Sequence, residues 1–173
     1  MNRIRVGKFK NEYEYEKYSY LLFLSILFTL SSCLTGGLED LPEFEENEIS
    51  GVQRVEYRYI SDEVSNASGQ QIVKKVELGR SNIVIDKEAS TVSLDVSVPA
   101  ANEGSFPASE WEKCSVNNIG VMVTLSTAAR ITPKEGSPAL GVPGDWSKPN
   151  KYLVTAANGE QREWTITIVN FTK

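Results

Sequence analysis

From Gly51 onward, the apolar runs of this chain alternate with a period of two, and nowhere do they hold a helical period over three turns. A period of two places alternate side chains on opposite faces of an extended strand, so the pattern allows half-buried β-sheet and little else. Val55, Tyr57 and Tyr59 share one face of the first such run, with Glu56 and Arg58 on the other. Further strands read at 72–78, 82–86, 91–98, 119–127, 151–156 and 161–169. In the run from Thr91 to Val98, Val92, Leu94, Val96 and Val98 alternate with Ser93, Asp95 and Ser97, and Pro99 stops it. The run from Ile119 is apolar enough to be a central strand. About seven short strands joined by turns predict an all-β, two-sheet antiparallel sandwich.

Two connections read as hairpins. One runs through Lys87-Glu88-Ala89-Ser90. The other is Ala157-Asn158-Gly159-Glu160, where Asn and Gly both tolerate positive φ. Residues 99–118 form the longest polar connection. The stretch from Arg130 to Asp145 holds three prolines and three glycines, and reads as irregular.

The 173-residue chain has no histidine and only two cysteines. Ser-His-Asp and Cys-His catalysis are therefore excluded, as are nearly all zinc sites and iron–sulfur clusters. The net charge of −5 argues against nucleic acid as a partner. Carboxylate pairs such as Asp86 with Asp95, or Glu110 with Glu112, do not stand out from solvated strand and loop faces. No phosphate-binding glycine loop or EF-hand spacing is present. The expectation is a non-enzymatic chain with no cofactor and no metal.

Ahead of the β region lies a ten-residue uncharged apolar run, Leu21 to Leu30, preceded by a polar stretch rich in Arg and Lys. As a helix it would cover roughly 15 Å, half a bilayer core, which suits a signal-peptide core better than a membrane span. Leu30-Ser31-Ser32-Cys33 follows and resembles the lipobox of bacterial lipoproteins. That resemblance implies diacylation of Cys33 and cleavage on its N-terminal side, leaving 141 residues with 13 basic and 20 acidic side chains. It divides the chain into a signal peptide over 1–32, a flexible acidic tether over 33–50 and a sandwich domain over 51–173. Glu39, Asp40, Glu43, Glu45, Glu46 and Glu48 repel one another and keep the tether extended. Their position after Cys33 resembles the surface-export signals of Bacteroidetes lipoproteins. The implied location is the outer membrane, facing outward, with the periplasmic face as the alternative.

The second half carries a further resemblance. Ala129-Arg130-Ile131-Thr132-Pro133, Gly136, Asp145-Trp146-Ser147-Lys148-Pro149, Tyr152 to Gly159 and Trp164 to Ile168 together resemble the Ig-like sandwich modules of Bacteroidetes surface lipoproteins, the DUF5018-type domains. The likeness spans roughly residues 90–170. It implies an Ig-like fold and carries no catalytic residues to transfer.

Three tryptophans remain to be placed. Trp164 shares a face with Ile166 and Ile168 and reads as core, and Trp146 as a plug at one end of the sandwich. Trp111 lies in the longest connection with polar neighbours on both sides, and is the chosen candidate for contact with a ligand. Cys114 follows Lys113 in the same stretch, where its pKa could be modestly lowered, although a half-buried inert thiol fits as well. The leading expectation is an envelope binding module, for neutral glycans if any. The alternative is an assembly component that binds another envelope protein by a sheet edge. An exposed aromatic strip would favour the first, and an open edge strand or apolar patch the second.

Overall fold

The computed structural model describes residues 44–104 and 106–173. Cys33, the signal peptide and most of the tether lie outside the described residues. The described residues form eight strands in two sheets: β1 (Ile49–Val64), β2 (Gln71–Glu77), β3 (Gly79–Asp86), β4 (Thr91–Ser97), β5 (Ile119–Leu125), β6 (Arg130–Lys134), β7 (Asn150–Thr155) and β8 (Gln161–Thr172). One sheet has the order β2-β1-β5 and the other β3-β4-β8-β7-β6. A short helix, α1 (Ala108–Lys113), and a 3₁₀ turn (Val116–Asn118) interrupt the long connection.

The alternating patterns land where their periods place them. Val55, Tyr57 and Tyr59 face inward from β1, and Val92, Leu94 and Val96 from β4, all buried. Trp164 and Trp146 are both buried, as expected, and the Trp146 ring stacks on Tyr152 with centroids 6.1 Å apart. The Trp164 indole N–H, which needs a partner once desolvated, donates to the Asn47 carbonyl at 3.0 Å.

Five expectations need correction. The sandwich begins before residue 51: Ile49 is fully buried, and the Ser126 hydroxyl accepts from the Glu48 N–H at 2.9 Å. The eighth strand, β6, arises in the stretch read as irregular. It carries Pro133, which a sheet tolerates at an edge, and β6 is an edge. The sheets are not wholly antiparallel, because β4 and β8 run parallel, with Val92 opposite Ile166 and Leu94 opposite Ile168. No hairpin links these two strands, so nothing local fixes their relative direction. β5 is an edge strand, and β1 is the central one. In the β7–β8 turn only Gly159 takes positive φ, at 89°. Asn158 acts instead through its side chain, accepting from the Glu160 N–H at 2.9 Å.

The chain changes sheets within a single residue. Leu78, between β2 and β3, is buried and donates its N–H to the Val55 carbonyl at 2.9 Å. This tight corner leaves β2 at the outside of the three-stranded sheet and β3 at the outside of the other.

Candidate functional site

Trp111 lies on α1 and is half-buried against the core. Its indole N–H donates to the Pro99 carbonyl at 2.9 Å, and the Lys173 ammonium lies over its ring at 4.6 Å from the centroid. The same ammonium donates to the Trp111 and Glu112 carbonyls at 2.8 and 3.1 Å. On the far side of the turn, the Tyr57 hydroxyl donates to Glu110 Oε2 at 3.0 Å. Hydrogen bonds from Lys113 and then Tyr57 hold the Glu110 carboxyl below the ordinary range. Trp111 thus sits in a latch that closes the long connection onto the core. Trp111→Ala is expected to cost about 1–2 kcal/mol, the sum of a lost hydrogen bond and lost packing, and not the near-zero cost of a free loop residue. Urea melts would measure it.

Cys114, at the end of α1, is fully buried, and burial pushes its thiol up to about 11. The shift runs opposite to the lowering considered from the neighbouring Lys113, and it disfavours the reactive thiolate form. Cys114 should resist iodoacetamide at pH 8 in the folded chain and react fully in urea, as mass spectrometry would show.

The carboxylate pairs do not converge on a cleft. The Asp86 carboxylate accepts from the Ala89 N–H at 2.9 Å and shapes the β3–β4 turn. Glu110 belongs to the latch. Among the described residues no group of three or more metal-ligating side chains occurs.

Sequence reasoning missed two features that the fold assembles. The first lies on the outer face of the five-stranded sheet. Asp95 accepts from the Asn82 carboxamide at 2.8 Å and from the Asn170 carboxamide at 2.9 Å, one on each neighbouring strand. Each neighbour is irregular at that point. The β3–β4 register slips between Ser81 and Val84, and the β4–β8 register between Leu94 and Asp95. Asn82 takes a left-handed φ of 48°. The one sequence signal was the run Ile83-Val84-Ile85, which breaks the alternation and so permits a bulge.

The second feature concerns the sheet edges. An open edge is a template for another strand, and proteins usually blunt it. β6 carries Pro133, and β3 carries its bulge. β5 is covered by residues 139–144: Gly141 N–H donates to the Val121 carbonyl at 2.8 Å and Gly144 N–H to Ile119 at 3.0 Å. β2 has no proline and no covering segment; it carries Lys74 and Lys75, and its pairing with β1 slips only at one end, between Ile60 and Val64. Its register with β1 is regular from Glu77 to Val73. Val73 and its cross-strand partner Ile60 are 56% and 65% exposed, and Val64 is also exposed.

The charges beside this edge are unbalanced in one place. Glu56, only 1% exposed, lies directly across from Glu77, and arginines keep the two carboxylates together. Arg58 pairs with Glu56, Arg54 lies 3.9 Å from Glu56 and 3.7 Å from Glu77, and Arg80 is 3.4 Å from Glu77. Lys74 pairs with Glu63. Lys75 faces Arg58 across the strands and has no ion-pair partner among the described residues.

These features define a β-sandwich domain whose distinctive chemistry lies on one sheet edge and one sheet face rather than in a cleft. The chain belongs to the DUF5018-related family, whose match covers residues 49–167. It is similar to a candidate secreted protein of Bacteroides fragilis NCTC 9343 with a crystal structure. The two are 39% identical, with a TM-score of 0.68, over 76% of this chain and 100% of that one. No functionally curated protein matches the chain.

Proposed function

We propose that this chain is a secreted, non-enzymatic module of the cell envelope, held by lipid on Cys33, which binds another envelope protein by strand addition at β2. The open β2 edge is the observation that carries this reading. Main-chain hydrogen bonds along such an edge supply affinity, and the side chains beside it supply selectivity. The secreted description of the B. fragilis relative and the Leu-Ser-Ser-Cys motif behind an apolar run support the location. Among the described residues no helix is long and apolar enough to cross a membrane. More than one acyl chain on Cys33 would supply stable anchorage.

Stacking of a glycan on Trp111 has less support. Lys173 occupies one side of that ring, and Phe44 is the lone aromatic among the exposed large apolar residues described.

A photo-crosslinking residue at position 73 in native cells tests the contact. One defined envelope protein should be captured from position 73 and none from Thr132, on the outer face of the other sheet, and Lys75→Glu should reduce the yield. Equal capture from both positions, or capture indifferent to Lys75→Glu, would contradict the β2 edge. The anchor is tested separately. Mass spectrometry should find an acylated Cys33 at the mature N-terminus, and Cys33→Ala should leave an unprocessed precursor. An unmodified Cys33 in native membranes would rule out the lipid.

A further inference from the structure

The outer face of the five-stranded sheet is independent of the β2 edge, and its chemistry is different. Asp95 projects from β4, with Asn82 and Asn170 each donating one amide hydrogen to a different carboxylate oxygen. A carboxylate offers about four lone-pair directions; with both carboxamides and the Asn170 backbone N–H bonded to it, one remains for another donor. Each carboxamide also keeps its carbonyl oxygen and a second N–H. These five polar groups sit on one small patch, fixed by three strands.

The surroundings restrict what could bind there. Ser93 and Thr167, opposite each other one row along, and Ser97 and Thr172, one row the other way, add hydroxyls on the same face. Val84, in register with Ser93, is 59% exposed, and Val169, the extra residue of the second bulge, is 62% exposed. Among the described residues Asp95 has no ion-pair partner. An anion would meet an uncompensated carboxylate, so anionic ligands are disfavoured. A fitting ligand is uncharged, offers adjacent hydroxyl donors and acceptors, and has C–H surface for the valines.

Two bulges converge here, and two β-branched residues beside them face water. Bulges commonly re-aim side chains beside functional sites. We propose that Asp95, Asn82 and Asn170 form a binding site for the vicinal hydroxyls of a neutral carbohydrate. The carboxylate accepts one hydroxyl, the carboxamides bond the adjacent hydroxyl, and Val84 and Val169 flank the ring. Hydrogen bonds to a charged acceptor are the stronger kind, so Asp95 dominates affinity.

Calorimetry of the full chain in detergent against maltohexaose, cellohexaose, xylohexaose and mannohexaose tests this, with hexagalacturonate as the acidic control. At least one neutral hexasaccharide should bind, and hexagalacturonate should not. Asp95→Asn keeps the shape and removes the charge. It should weaken binding about tenfold or more, Asn170→Ala should also weaken it, and Lys148→Ala should leave it unchanged. Thermal melts of each variant separate lost binding from lost folding. Failure of all four neutral sugars to bind, or binding unaffected by Asp95→Asn in a folded variant, would overturn the site. Because the site lies on the other sheet, neither result bears on the β2 contact.

Discussion

Trp164→Ala is expected to lower the stability of the sandwich by about 3–5 kcal/mol, the range for deleting a fully buried large aromatic side chain. The argument rests on position as much as size. Trp164 is fully buried and sits opposite Tyr152 in the β7–β8 ladder. The surrounding strands belong to two sheets and cannot collapse into the space without breaking register, so most of the cavity would persist. The substitution also leaves the Asn47 carbonyl without the indole donor that reaches it from 117 residues away. Urea melts of residues 44–173 would measure the loss. A fragment beginning at residue 51 would be a poor reference, because it lacks Ile49 and the Glu48–Ser126 pair. A loss below about 1 kcal/mol would place Trp164 outside the core.

Gly144→Ala is the second large effect, at about 2–3 kcal/mol, in the upper range for overpacking. A Cβ at Gly144 would overlap the Cβ of Pro138 and come within 3.2 Å of its Cγ. A proline ring cannot swing aside as a flexible side chain would. Gly144 also donates to Ile119 and forms an isolated bridge with it, so the clash acts on the segment that covers β5. The variant should melt earlier and exchange the amides of residues 119–125 faster. If it is as stable as the parent, with β5 exchange unchanged, the segment does not close that edge.

What could be read from the sequence was what local pattern determines. The inward faces of β1 and β4, the β3–β4 hairpin and the burial of Trp146 and Trp164 follow from alternation and turn chemistry. The parallel pairing of β4 with β8 was illegible, because the two strands are separated by a visit to the other sheet. The β6 strand hid behind Pro133, which argues against a strand except at an edge. α1 is six residues long, less than two turns, and leaves no helical period to detect. The convergence of Asn82, Asp95 and Asn170 depends on two register slips in separate ladders, and so on tertiary pairing. The open β2 edge becomes visible only once the other three edges are seen to be shielded.

Hydrogen exchange along β2 tests the central claim most directly. Amides of residues 71–77 would be compared between the purified chain in detergent and the chain in its native membranes. With an added strand, the amides on the free side of β2 should become protected in native membranes, and Lys75→Glu should reverse the protection. Residues 130–134, at the proline-bearing edge of the other sheet, should exchange alike in both. Identical exchange of 71–77 in the two states would contradict strand addition at β2.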